Sequence, residues 1–165
     1  ASSSQLFGKN LAFPFASMAV KINHNMPLHV VNRLKSLLNQ QLIGKRILVC
    51  GVSYRKDVSD TRFSPSEILV RKLIELKVIV TCHDPYVNYW EELAMNLSPS
   101  LPDPNNFDTI IFAVPHNEYQ NLDLNKWGVQ SVLIIDANMV FNDKKRNLAR
   151  SIGLRIESIG RGNGL

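Results

Sequence analysis

The chain has 165 residues, of which 45% are hydrophobic and 20% charged, enough to bury one substantial core but not two full nucleotide-binding domains. The net charge of +5 is dispersed over the chain without a basic-aromatic pattern, so we expect no nucleic-acid partner. No run of about 18 apolar residues and no signal peptide is visible, so we expect a cytoplasmic protein with no membrane partner.

The first predicted element is a long helix from about residue 12 to residue 40. Apolar side chains recur there at spacings of three and four between Phe15 and Leu38, which gives the helix one apolar face. Pro27 lacks a backbone donor and should kink or split the helix. The apolar face must pack against another surface. The pattern alone leaves open whether that surface belongs to a second subunit or to the chain's own sheet.

After Gly44, strand patterns alternate with helical ones. This alternation predicts an α/β fold with a Rossmann-like, doubly wound parallel sheet preceded by the long N-terminal helix. The chain then divides into a helix region, residues 1–43, and a sheet domain, residues 44–165. Strands are predicted at 46–53, 78–83, 109–114, 131–136 and 154–159, and helices at 65–76, 88–97, 119–126 and 142–151.

The segment from Arg46 to Glu67, RILVCGVSYRKDVSDTRFSPSE, is the most informative part of the chain. A nearly continuous apolar strand ends at Val52 and leads into a charged loop. Ser64, Pro65 and Glu67 then predict an N-cap, a proline at the first helical position and a capping box. Ligands of open α/β sheets bind at such strand ends, beside helix N-termini. We therefore expect the ligand site on this loop.

A phosphate contact on this loop would have to come from side chains. Only Gly51 is present where a dinucleotide fingerprint needs three glycines. Arg55 offers a planar fork of donors and Lys56 a point charge. The alternative, about as well supported by composition, is that Arg55, Lys56 and Arg62 only pair with nearby aspartates on a solvated loop.

Other chemically capable residues stand at strand ends. Cys50 and Cys82 lie in apolar strand patterns and predict free buried thiols, and no second His/Cys pair at ligand spacing accompanies Cys82 and His83, so we expect no metal site. Asp84 either binds a ribose or, as we favour, has a structural role at its strand end. Histidine as a residue type can exchange a proton near neutral pH, so His116 is a candidate general base.

These motifs resemble the C-terminal UDP-binding domain of the UDP-glucose/GDP-mannose dehydrogenase family, the UDP-sugar 6-dehydrogenases. In that family a strand ends in Gly-x-x-[Phe/Tyr]-[Lys/Arg], matched here by Gly51, Tyr54 and Arg55. The other matching positions follow in the same order and cover most of the chain. They are Asp60, Thr61, Arg62, Ser64, Pro65, the segments 83–86, 114–119, 135–136 and 155–160, and, at the end of the family's central helix, Asn23, Met26 and Pro27.

The resemblance implies the substrate-binding part of an enzyme that oxidises the C6 alcohol of a UDP-hexose to a carboxylate in two NAD-dependent steps, through a thiohemiacetal on a cysteine. The family's catalytic cysteine segment and its NAD-binding glycine motif belong to the N-terminal half. Neither motif occurs in this chain, and neither Cys50 nor Cys82 matches that cysteine. We therefore expect the chain alone to be inactive, with no catalytic residue, and to partner the N-terminal domain that holds most of the NAD. The central helix implies a homodimer.

The resemblance also assigns individual residues. Tyr54 and Arg55 match positions that touch the UDP-sugar, and Arg62 matches an arginine that reaches the NAD held by the other domain. Asn138 stands where many relatives have a substrate-binding arginine, whose loss removes a charge-assisted bond of about 1.5–3 kcal/mol, so the sugar stays open. The counterpart of His116 is not the family's catalytic group. The alternative function is a stand-alone nucleotide-binding or interaction module without redox activity.

Overall fold

A five-stranded parallel sheet is the centre of the computed structural model, which describes residues 14–127 and 132–159 and, within them, the side chains from residue 26 onward. In chain order the strands are β1 (Arg46–Cys50), β2 (Ile79–His83), β3 (Tyr89–Trp90), β4 (Met95–Asn96), β5 (Thr109–Phe112), β6 (Leu133–Asp136) and β7 (Arg155–Ser158). The helices are α1 (Pro14–Leu37), α2 (Pro65–Glu75), α3 (Asn117–Gln120) and α4 (Asp143–Ser151), with 3-10 turns at Glu91–Leu93, Pro104–Asn106 and Leu124–Trp127.

The strand order, β2-β1-β5-β6-β7, confirms the predicted doubly wound parallel sheet. β1 is an interior strand, and its Val49 lies opposite Cys82 of β2 on one side and Ile111 of β5 on the other. The chain adds β2 on one side of β1 and then returns to add β5 on the other. This reversal opens a crevice between the carboxyl ends of β1 and β5, where ligands of such sheets bind.

Each face of the sheet is covered by its own hydrophobic cluster. Ile47 and Val49 of β1 face the layer formed by α1 and α2, whereas Leu48 and Cys50 face the layer of α3 and α4. Alternation between two buried faces explains why β1 is apolar throughout. The second layer contains large aromatic side chains, among them Phe112, Tyr119, Trp127 and Phe141.

The C-terminal part of α1 packs on the domain's own core. Val30, Val31 and Leu34 are buried in the cluster that contains Leu69 and Leu73 of α2. For this part of the helix, the chain's own domain therefore covers the apolar face. The predicted side-chain pattern before residue 26 lies outside the described side chains. Among the described residues, no helix combines the length and apolar composition that crossing a bilayer requires.

The segment after β2 differs from the prediction, and α1 is continuous where a kink or a split was predicted. The helix is not split at Pro27 but runs through it to Leu37. The helix predicted at 88–97 is a hairpin of β3 and β4 instead. Trp90 is fully buried in the α1/α2 cluster, and Ala94 adopts the left-handed backbone, φ 47°, that a tight turn needs. Packing of one indole thus outweighs local helix propensity.

The remaining elements agree with the prediction except in their lengths. The five sheet strands are shorter than predicted by one to three residues, at the carboxyl end in β1 and β5, at the amino end in β2 and β6, and at both ends in β7. The helix predicted at 119–126 is two short pieces, α3 and the 3-10 turn Leu124–Trp127, separated by residues 121–123.

Candidate functional site

A cleft of about 740 Å³ lies at the carboxyl ends of β1, β5 and β6, a size typical of small-molecule sites. Its floor comes from the strand ends and its wall from α1, α2 and the residues before α2. The floor residues are Ser53, Tyr54, Arg55, Ala113, Val114, Ala137 and Asn138. The wall residues are Met26, Pro27, Val30, Phe63, Pro65, Ser66, Ile68 and Leu69. Three of the four predicted site residues, Tyr54, Arg55 and Asn138, thus line one cavity.

The floor is narrow because the chain after β1 approaches the chain after β5 closely. Gly51 has φ +97°, and a Cβ there would lie 2.7 Å from the backbone nitrogen of Val114. The N–H of Ala113 donates to the carbonyl of Cys50 at 2.8 Å. Only glycine fits this position, so the contact of the two loops depends on Gly51.

Asp84 anchors the start of the loop that follows β1. Its buried carboxylate accepts hydrogen bonds from the N–H groups of Val52 (2.8 Å) and Ser53 (3.0 Å) and from Ser53 Oγ (2.7 Å). Burial alone would raise the pKa of Asp84, but bonds from His116, Ser53 and backbone N–H groups outweigh burial and hold the pKa below its usual value. Asp84 does not line the cleft, so this geometry fits the structural role that we favoured.

His116 and Asp57 anchor the end of the same loop. The N–H of Asp57 donates to His116 Nδ1 at 2.9 Å, and His116 Nε2 lies 3.1 Å from Asp84 Oδ2. Since Nδ1 accepts a hydrogen bond from the Asp57 N–H, it carries no proton of its own, so Nε2 carries the ring proton and donates to Asp84. The Asp57 carboxylate accepts from Asn117 N and Nδ2 at 2.9 and 2.6 Å, and the backbone bond from Asn117 lowers the pKa of Asp57. His116 is fully buried and outside the cleft lining, so it lacks the access that a general base needs.

The cations of the loop have three different environments. Lys56 Nζ donates to Gln120 Oε1 at 2.9 Å, away from the cleft. Arg62 donates from Nε and Nη2 to the two oxygens of Asp60 at 2.9 and 2.8 Å, and these bonds lower the pKa of Asp60 to about 2. Within the described part of the chain, Arg55 forms no hydrogen bond or ion pair and is the one cation that lines the cleft. The alternative interpretation, in which the loop cations only form solvated ion pairs with nearby aspartates, thus applies to Arg62 but not to Arg55.

The start of α2 has few free backbone donors. Ser64 Oγ accepts from Ser66 N at 3.2 Å, which confirms the N-cap, and Pro65 has no N–H. The N–H of Glu67 donates to the carbonyl of Ser64, and its carboxylate pairs with Arg71 at 2.8 Å instead of completing the predicted capping box. Because these donors are absent or used, a phosphate beside the start of α2 would depend on side chains.

Asn138 forms the opposite end of the floor. Its Nδ2 donates to the carbonyl of Ala113 at 3.1 Å, joining the loops after β6 and β5. The preceding Asp136 is buried and accepts from the N–H groups of Val140 and Phe141 at 2.7 and 3.2 Å. Arg146 Nη1 lies 3.3 Å from the same carboxylate and also donates to the carbonyl of Phe141. The loop that carries Asn138 is thus held by a buried ion pair that our sequence reasoning missed.

The sequence reasoning also missed Phe63. Its side chain is 90% exposed on the cleft wall, and its φ is +60°, a left-handed conformation that costs energy for a bulky residue. The one sequence signal was an aromatic residue directly before the N-cap in an otherwise charged loop.

Neither cysteine reaches the cleft. Cys50 and Cys82 are free and buried, as predicted, and burial raises the pKa of Cys82 to about 12 and that of Cys50 well above its usual value. Within residues 26–127 and 132–159, no group of three or more His, Cys, Asp or Glu side chains is placed to hold a metal ion.

Comparison with known proteins agrees with this geometry. The family model "UDP-glucose/GDP-mannose dehydrogenase family, UDP binding domain" matches residues 48–143, more than half of the chain. The match contains all four predicted site residues.

Individual relatives cover most of the chain. A UDP-N-acetyl-D-mannosamine dehydrogenase of Methanococcus vannielii is 31% identical over 90% of this chain and 35% of its own length. A UDP-glucose 6-dehydrogenase of Rickettsia bellii is 27% identical over 86% of the chain and 34% of its own length. The solved NDP-N-acetyl-D-galactosaminuronic acid dehydrogenase of Methanosarcina mazei shares the fold, with a TM-score of 0.77 over 95% of this chain and 24% identity. The chain spans about a third of the length of these relatives.

Proposed function

The chain belongs to the UDP-glucose/GDP-mannose dehydrogenase family through its UDP-binding domain, and from this we propose that it is the C-terminal substrate-binding part of an NAD-dependent UDP-sugar 6-dehydrogenase. The full enzyme would oxidise a UDP-hexose to a UDP-hexuronic acid. The observation that carries the proposal is the position of Arg55, the one cation that lines the cleft among the described residues, at the switch point of the sheet.

Arg55 would bind the pyrophosphate of the UDP-sugar. A diphosphate needs charge-assisted donors, and the backbone donors at the start of α2 are absent or already used. Tyr54 is exposed on the same floor and would contact the ligand beside Arg55, and Asn138 would contact it from the opposite end. Asn138 can offer only an amide, which fits a neutral group of the sugar better than an anion.

Arg62 would contact NAD held by the N-terminal domain. Its side chain is 77% exposed and lies outside the cleft lining, where a second domain could approach it. The ion pair with Asp60 is solvated and therefore weak, so a cofactor phosphate could replace Asp60 as its partner.

The chain alone would not catalyse the oxidation. A thiohemiacetal needs an accessible thiolate, whereas the two cysteines of the chain are buried in the sheet with raised pKa values. The catalytic cysteine and most of the NAD site would lie in sequence outside these 165 residues. The unpaired thiols fit a reducing compartment such as the cytoplasm.

We also propose a homodimer formed through α1, which resembles the end of the family's central helix. The part of α1 from Met26 onward is already covered by the chain's own core, so the earlier turns would provide the contact. Light scattering coupled to size exclusion would find a mass of about two chains, and a single-chain mass at high concentration would contradict this assignment.

Calorimetry with the 165-residue chain tests the binding proposal. We expect UDP and UDP-hexoses to bind, and Arg55→Ala to weaken UDP by roughly 10- to 150-fold, the loss of one charge-assisted bond. Arg46→Ala is a matched control, because Arg46 is exposed at the opposite end of the same strand. Equal affinity of the Arg55→Ala variant and the unmodified chain would refute the role of Arg55. Comparison of UDP-glucose with UDP-N-acetylhexosamines would then identify the sugar.

A further inference from the structure

We infer that His116 is a positioning residue for nucleotide-sugar binding, which acts by holding Arg55 over the cleft. This inference rests on the proposed function of the cleft. It assigns to the imidazole neither proton transfer nor substrate contact, since His116 is fully buried and outside the cleft lining.

The segment 54–56 is a short bridge between two fixed points. Its first support is Ser53, whose N–H and Oγ both donate to the carboxylate of Asp84. Its second support is Asp57, whose N–H donates to His116 Nδ1 and whose carboxylate accepts from Asn117. With both ends held, few backbone arrangements remain for the residues between them, which include Arg55.

His116 connects the two supports to each other. Its Nε2 bonds to the same oxygen, Oδ2 of Asp84, that receives the donors of Ser53. Its Nδ1 accepts the N–H of Asp57 at 2.9 Å. This arrangement requires one tautomer, neutral with the proton on Nε2, because a proton on Nδ1 would face the Asp57 N–H and break that bond.

Asp57 adopts a left-handed backbone, φ 56°, which aspartate tolerates better than most L-residues but which still favours support from neighbouring groups. The bond to His116 is one of the contacts that maintain it. Loss of that bond frees Asp57 to leave this conformation, and the bridge that carries Arg55 then shifts.

Other groups pack around the His116 ring and restrict its orientation. They are the carboxylate of Asp84 and the rings of Tyr86 and Tyr119, at 5.2 and 5.5 Å between centroids. Asp57 Oδ1, which lies 3.6 Å from Nδ1, already accepts from Asn117 N. The imidazole and Asn117 therefore hold the Asp57 end of the bridge together.

The test measures UDP affinity by calorimetry at a single, near-neutral pH. The probe is UDP, and the proteins are the 165-residue chain and its His116→Gln, Arg55→Ala and doubly substituted variants. His29→Gln is the control, because His29 is an exposed histidine of α1 outside the cleft lining. Circular dichroism confirms that each variant is folded.

We expect His116→Gln to weaken UDP by roughly tenfold or more. In the Arg55→Ala background the same change should have almost no effect, since the two residues act through one contact. A full loss that persists in the Arg55→Ala background, or an unchanged affinity of His116→Gln, would overturn the inference. If the unmodified chain does not bind UDP at all, the proposed function fails first and the inference with it.

A second measurement covers the case in which His116→Gln does not fold. Two-bond 1H–15N spectra of the unmodified, UDP-bound chain report the tautomer of each imidazole directly. Near neutral pH we expect Nε2–H on His116, with an unprotonated Nδ1. A proton on Nδ1 in the UDP-bound chain would contradict the inference without any substitution.

Discussion

A Cβ added at Gly51 would lie 2.5 Å from Cβ of Val114, closer than two such carbons can approach. The two residues follow β1 and β5, the strands between which the sheet reverses its order. The contact between them therefore determines how closely the two loops that form the cleft floor can meet.

Gly51→Ala should destabilise the chain by roughly 2–4 kcal/mol, because the new methyl group meets backbone and φ +97° disfavours alanine. Gly153→Ala is the matched control, with φ +85° but nothing within 4 Å of the added carbon, and should cost only about 1 kcal/mol. Urea denaturation gives both free energies of unfolding. Equal effects of the two substitutions would show that the approach to Val114 is not tight.

Arg146→Met should destabilise the chain by roughly 3–5 kcal/mol, since it leaves the buried Asp136 carboxylate without its ion-pair partner. Arg150→Met, at an exposed position of the same helix, should change the free energy of unfolding by no more than about 0.5 kcal/mol. Chemical denaturation of both variants makes the comparison. A loss of less than about 1 kcal/mol in Arg146→Met would mean that the backbone N–H groups of Val140 and Phe141 are enough to stabilise the buried Asp136 carboxylate.

Phe63→Asn should raise the free energy of unfolding by about 0.5–1 kcal/mol, because asparagine tolerates the left-handed backbone and no buried contact is lost. Ile43→Asn removes a similarly exposed apolar side chain without a positive φ and should give no such gain. Thermal denaturation followed by circular dichroism compares the two. Destabilisation by Phe63→Asn would show that the ring packs on a surface within the chain.

Acid should destabilise the chain partly through Asp84. Its pKa is lowered in the folded state, so the unfolded chain binds the proton first as pH falls, and stability decreases below the unfolded value of about 3.9. Above about pH 5 the contribution of Asp84 is complete. The free energy of unfolding, measured against pH, should fall less steeply in acid for Asp84→Asn than for the unmodified chain.

The sheet was predictable because each of its strands can be recognised from the apolar residues of its own short segment. Residues such as Ile47, Leu48 and Val49 are apolar in succession, and that local property agrees with burial on both faces. The hairpin at 89–96 was not predictable in this way. Its conformation depends on the burial of Trp90 against residues far away in the chain, which a local pattern does not contain.

The cleft was only partly predictable for a similar reason. Strand-end position and the family resemblance selected Tyr54, Arg55 and Asn138, and the structure places these three residues on one cavity. Which cation of the loop remains unpaired is decided by contacts that spacing does not reveal, such as that of Lys56 with Gln120. The role of His116 depends on its hydrogen-bond partners on two other loops.

The hairpin of β3 and β4 has one more consequence, for the outer edge of the sheet. β2 is an edge strand, and Ser98, two residues after the hairpin, pairs with its outer side: the N–H of Ser98 donates to the carbonyl of Cys82, and Ser98 forms a parallel bridge with His83. The hairpin thus shields the end of β2 nearest the cleft, where an open ladder would invite strands of other molecules. A chain lacking residues 88–98 should therefore precipitate or form fibrils on storage, even if its five sheet strands still assemble.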